Sequence, residues 1–98
     1  MRPNMFRNVY INLGDLGAPG YHEITQLEMR LLYRGAEELL DTHSELEQLE
    51  MLEETEQGLL EHAISGGMID SEWVAIAVMV KAVRGILYGE IPDCIFAE

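Results

Sequence analysis

Lysine and arginine are absent from the sequence between Gly35 and Val80, a stretch that carries Glu37, Glu38, Asp41, Glu45, Glu47, Glu50, Glu53, Glu54, Glu56, Glu61, Asp70 and Glu72. The wet face of a helix ordinarily mixes charges. Glu and Lys one turn apart stabilise it by roughly 0.2–0.5 kcal/mol per pair, and like charges at that spacing cost a similar amount. Here that stabilisation is forgone repeatedly, which leaves a strongly negative surface whose repulsion a basic partner would relieve. The basic residues are few and scattered, at Arg2, Arg7, Arg30, Arg34, Lys81 and Arg84, and the net charge is −12. Nucleic acid and anionic membrane both need a positive patch, so neither is expected as a direct partner.

Cysteine is nearly absent too. The single Cys94 has no internal disulfide partner and is expected to be free or in an inter-subunit contact, with nothing pointing to an oxidising compartment. A cytoplasmic location is expected, in a host cell if the chain is phage-encoded. Long apolar runs are also missing. The longest, Trp73 to Val80, is closed by Lys81 and falls far short of the roughly 20 residues of a membrane helix. The opening residues mix Arg2, Asn4, Arg7 and Asn8 into their apolar content, so no secretory signal is expected. With 48% hydrophobic residues in 98, the chain should nevertheless fold, as one domain over residues 1–98 with a single core.

Catalytic constellations are missing as well. The glycines of Gly14-Asp15-Leu16-Gly17-Ala18-Pro19-Gly20 come without the Lys and Ser or Thr of a phosphate loop, and the segment reads as a turn-rich linker. His22, His43 and His62 do not fall at a spacing that sets two ligands on one helix face. Glu61 beside His62 points about 100 degrees away from it, and a surface histidine among carboxylates is the plainer reading. No run alternates Asp or Asn around a central Gly as a calcium loop requires. The acids cluster on helix faces instead of splitting between an apolar pocket and water, and Cys94 lies next to Asp93, which disfavours a thiolate. The chain therefore reads as a non-enzyme with no metal and no cofactor.

What is present is helix. Met5 to Asn12 reads as one short strand, which has to pair with the C-terminal Cys94-Ile95-Phe96-Ala97, a second subunit or a partner. Thr25 with Glu28 forms a capping box, and Ile24 with Met29 a staple. They open a helix over 26–42 whose apolar stripe is Leu27, Leu31, Leu32, Ala36, Leu39 and Leu40. Ser44 with Glu47 repeats the signature and opens a second helix over 44–65 that stops at Gly66-Gly67. With no Gly or Pro at Asp41-Thr42-His43, one long bent helix is the alternative to two. Asp70 caps a third helix over 71–88, ended by Gly89 and Pro92. The fold class expected is mainly α, a three-helix bundle with a short N-terminal strand.

The third helix is apolar nearly all round, and two helices cannot cover it in a chain of this length. Trp73, Ile76, Val80 and Val83 are accordingly expected to form core or a subunit interface, with a homodimer as one outcome. On the second helix Glu47, Glu50, Glu54 and Glu61 share one face. Glu37, Asp41 and Glu45 would continue the row if the first two helices run together, and Glu38, Glu53 and Glu56 complete the acidic set taken as the partner-binding surface.

In size, acidity, helical content and lack of catalytic groups the chain resembles the phage and mobile-element inhibitors that imitate DNA or plug the basic groove of a host defence complex. The resemblance implies a binding protein whose carboxylates face Lys and Arg of a nucleic-acid-binding complex, in the manner of anti-CRISPR or anti-restriction proteins, with association that weakens steeply in salt. Two other expectations fit the same composition. One is a homo-oligomeric structural or adaptor protein assembled through the third helix, and the other an antitoxin-like neutraliser of a basic protein.

Overall fold

The computed structural model describes residues 8–89 and 94–96. It is mainly helical. In chain order come strand β1 (Asn8–Asn12), a 3₁₀ turn (Gly14–Leu16), β2 (Tyr21–Thr25), helices α1 (Gln26–Asp41), α2 (Glu45–Ile64) and α3 (Ser71–Tyr88), and β3 (Cys94–Phe96). The expected strand residues Met5 to Arg7 and the Pro92 stop lie outside the described residues, as does the side chain of Cys94.

The three caps form as the residue types dictate. Thr25 Oγ1 accepts from Glu28 N at 3.1 Å while Thr25 N donates to Glu28 Oε1 at 3.0 Å, a reciprocal box that holds the Glu28 carboxyl below its ordinary pKa. Ser44 Oγ accepts from Glu47 N at 3.3 Å and donates to Glu47 Oε1 at 2.9 Å. Asp70 Oδ1 accepts from Trp73 N at 2.9 Å. At the far end of α2 the amides of Gly66 and Gly67 return to Ala63 O and His62 O at 3.2 and 2.8 Å. With Gly66 at φ +83°, this is the Schellman arrangement that makes glycine the natural stop.

α1 and α2 are separate helices. Thr42 Oγ1 donates to Leu39 O at 2.8 Å, and His43 Nδ1 lies 2.9 Å from the same carbonyl. Gln48 Nε2 reaches back to Leu40 O and His43 O at 2.7 and 3.1 Å. The Leu39 and Leu40 carbonyls accept the Thr42 and His43 amides at 3.3 and 3.1 Å in a tightened last turn, and the side chains of Thr42, His43 and Gln48 add to these bonds.

The N-terminal strand takes one of its expected pairings, with the C-terminal segment, and gains a second partner strand that the sequence does not announce. β1 is central in a three-stranded antiparallel sheet of order β2-β1-β3. It pairs with the C-terminal segment through Val9↔Phe96, Tyr10↔Ile95 and Ile11↔Cys94, and with β2 from Asn8↔Thr25 to Asn12↔Tyr21. β2 has a single buried residue, Ile24, so it carries almost no apolar alternation. Its strand state comes from backbone pairing with β1.

The segment expected as a linker is also different. Leu13, Leu16 and Ala18 are buried and join one core cluster with Val9, Ile11, Ala36, Leu52, Leu59 and the inner side of α3. Gly17 sits at φ +101°, and a Cβ there would come within 2.6 Å of Ala63 Cβ, so the loop lies directly on α2 at a place only glycine fits. The apolar third helix therefore shares its core with the strand and loop of the N-terminal segment, and the premise that only a partner or second copy covers it does not hold.

Candidate functional site

α2 turns only a narrow side inward. Leu52 and Leu59 are its buried residues, and Trp73 Nε1 donates to Leu59 O at 3.2 Å from within α3, tying the two helices backbone to side chain. Gln48, Thr55, Glu56 and Ala63 flank that contact and are partly buried. The opposite side of the helix is left to water.

That outer side is acidic. Glu47, Glu50, Glu54 and Glu61 are all exposed and, at spacings of three, four and seven, lie within one band along the helix. Glu61 accepts from Gln57 Nε2 at 3.3 Å, and Glu47 holds the Ser44 hydroxyl. Glu45 and Glu53 are exposed as well. Glu53 falls by helical spacing among the exposed Leu46, Leu49, Leu60 and Ile64, on the flank of the acidic band. Glu56 is the exception. It is partly buried and lies 3.7 Å from Arg84 Nη1.

Glu37, Glu38 and Asp41 are exposed on α1, but the bend at Thr42 to Ser44 separates them from the row on α2. The continuous row that a single long helix would have made is therefore interrupted there.

The described cations do little to neutralise these faces. Lys81 and Arg84 of α3 both bond Asp15 of the 3₁₀ turn, Arg84 Nη1 at 2.9 Å from Oδ2. Burial alone would raise the Asp15 pKa, and the hydrogen bonds and charges of Lys81 and Arg84 outweigh it, so the carboxyl titrates below its ordinary value. Arg30 and Arg34 are exposed on α1.

Of the four residues expected at a core or subunit interface, Trp73, Val80 and Val83 are core, at 5%, 4% and 7% exposure. Ile76 alone reaches the surface, 42% exposed. It borders a feature that the sequence reading did not single out, an apolar cleft of about 350 Å³ where the end of α1 and the first half of α2 meet α3, with Leu39, Met51 and Met79 in its wall. Leu39 reads in sequence as part of the buried stripe of α1. Only the angle that the bend gives α2 leaves it beside an open cleft.

The histidines are not gathered around a site. His62 Nε2 lies 2.9 Å from Met68 O, a contact across the α2 stop, and His43 serves the α1 end. Among the described residues no group of three or more His, Cys, Asp and Glu converges in a way that holds a metal ion. Among the same residues no helix is long and apolar enough to cross a membrane. Comparison with protein-family models, curated proteins and solved structures finds no match.

Proposed function

We propose that this chain is a non-catalytic binding protein that presents the outer face of α2 to a basic surface of a nucleic-acid-binding protein complex, in the manner of the mobile-element inhibitors of host defence. The observation that carries the reading is the exposed band Glu47, Glu50, Glu54 and Glu61, in a helix with no Lys or Arg of its own. Carboxylates one turn apart stand about 5–6 Å from each other, of the same order as phosphates along a strand, so a groove built for nucleic acid meets a comparable charge density. The short polar connection after α1 and the Gly66-Gly67 stop fix the length of the band to that of α2.

Energetically, such a contact is driven by relief of like-charge repulsion along α2 and by charge attraction at long range. It should associate fast and weaken steeply with salt. The test is capture from a bacterial lysate on the immobilised protein, with release by a salt gradient and, separately, by excess duplex DNA. A Glu50→Lys/Glu61→Lys variant, whose sites are exposed, runs alongside. The expected result is a nucleic-acid-binding complex that both salt and DNA release and that the variant fails to capture with its circular dichroism unchanged. Equal capture by the variant, or a bound complex indifferent to DNA, refutes the reading.

A further inference from the structure

The apolar cleft on the other flank of α2 has a chemistry of its own. Among the described residues, no Lys, Arg, Asp or Glu lines it. Its three polar residues are spent on local backbone, since His43 faces Leu39 O, Gln48 bonds Leu40 O and His43 O, and Thr55 Oγ1 donates to Met51 O at 2.7 Å. The rest of the described lining is apolar. Leu39, Met51 and Ile76 are 40%, 37% and 42% exposed, above a floor that includes the buried Leu52 and Val80. Ala75 and Met79 also line a second cleft on the α1–α3 seam, which takes in Leu31 together with His22, Glu28 and Asp70. The rim of the apolar cleft is negative. Glu47 and Glu54 stand one turn either side of Met51, Glu72 stands one turn before Ile76, and all three are exposed.

We infer that this groove seats an amphipathic helix of a partner protein, whose apolar side chains at i, i+3 or i+4 and i+7 enter the cleft while Lys or Arg on its flanks meet Glu47, Glu54 and Glu72. Helix-in-groove docking uses this pattern of anchors, and methionine walls adapt to the anchors offered. The rim charge selects the occupant. A second copy of this chain would bring a net charge of −12 against an already negative rim, which opposes self-association through this face. The inference rests on the reading that the partner is basic and specifies one element of it.

The experiment uses the whole chain labelled with ¹³C at the methionine methyls, titrated with an 18-residue helical peptide of leucine and lysine, apolar on one side and basic on its flanks. Controls are the same peptide with Glu for Lys and one with Ala for Leu. Met51 and Met79 report on the cleft, and Met68, 75% exposed and outside it, is the internal reference. The expected result is saturable shifts of Met51 and Met79 with Met68 unmoved, and binding at least about tenfold weaker for the Glu peptide, for the Ala peptide and for an Ile76→Asp variant. Three outcomes overturn the inference: unmoved Met51 and Met79, equal binding of the Glu peptide, or shifts that follow the concentration of the protein alone, which would assign the face to a second copy. Glu50→Lys/Glu61→Lys separates the two readings, because those residues lie on the outer band and not on the rim. Peptide binding kept in that variant while lysate capture is also kept sinks the outer-face reading and leaves the cleft standing. Capture lost in the variant with no peptide bound by either protein does the reverse.

Discussion

Trp73→Phe tests how α2 is attached to the rest of the fold. The indole of Trp73 is 5% exposed and its Nε1 donates to Leu59 O at 3.2 Å. Phenylalanine keeps an aromatic ring but removes that donor and two ring carbons, worth ~0.8 kcal/mol per buried carbon, or about 1.5 kcal/mol together. The hydrogen bond adds about 0.5–1.5 kcal/mol, at the low end because Leu59 O lies within α2 and keeps its helical partner. A loss of about 2 kcal/mol is expected, from a total of about 5–15 kcal/mol for a domain of this size. Urea unfolding followed by far-ultraviolet circular dichroism measures it, since the substitution removes the only tryptophan. Hydrogen exchange then locates it. With only Leu52 and Leu59 buried along α2, the amides of α2 should lose protection first and most, while those of β1 and α3 follow only the global change. A loss below about 0.5 kcal/mol, or an equal fall in protection everywhere, would show that the indole is not what holds α2 in place.

Asp15 gives a pH signature. Its folded pKa lies below the ordinary 3.8, so its contribution is fully present above that value and is lost as pH falls through the lower folded one. The side chain is 48% exposed, and screening keeps the contribution within about 1 kcal/mol. Asp15→Asn should lower the Tm near neutrality, with the difference from the parent protein closing in thermal scans as the pH falls below the ordinary 3.8 and through the lower folded value. Two glycine substitutions on and after α2 should act in opposite directions. Gly58 is exposed inside the helix with nothing within 4 Å of a Cβ, so Gly58→Ala should stabilise by about 0.5–1 kcal/mol. Gly66 holds φ +83°, and Gly66→Ala should cost about 1–2 kcal/mol. The same denaturant titration reads both.

The helices were legible because their ends are local chemistry. Thr25, Ser44 and Asp70 each act on the amide three residues ahead, and Gly66 and Gly67 close α2, so short sequence windows hold the whole signal. The Thr42 to Ser44 bend was readable only halfway. Ser44 marks a start, but the end of α1 is held in part by Gln48 reaching eight residues back to Leu40 O, a bond no propensity announces. β2 was missed because Tyr21 to Thr25 has one buried side chain and gains its conformation from pairing with β1. Leu13, Leu16 and Ala18 sit among glycines and a proline, so the turn residues masked their burial. For the site, the outer acids on α2 could be placed from spacing alone. The cleft could not, because Leu39, Met51 and Ile76 come together through the angle between helices, which belongs to packing and not to any one segment.

The same packing explains how α2 tolerates its charge. Glu47–Glu50, Glu50–Glu53, Glu50–Glu54 and Glu53–Glu56 are like-charge pairs three or four apart, together opposing the helix by about 1–2 kcal/mol at low salt. Arg84 offsets only the last of them, through Glu56. A helix with two buried residues has little burial to set against that repulsion, so its stability is concentrated where the charges are not. At the N-terminus Ser44 and Glu47 close the first turn, and the negative residues there favour the helix dipole. At the C-terminus the Schellman bonds of Gly66 and Gly67 and the His62 contact to Met68 O fix the exit. Between them, Leu52, Leu59 and the Trp73 indole hold the inner side. This arrangement leaves the outer band without an ion pair to any described cation, its internal bonds being Ser44 to Glu47 and Gln57 to Glu61, and any basic surface that binds it removes an opposing energy already present in the free protein. By linkage, the partner that neutralises these carboxylates also stabilises the helix that presents them.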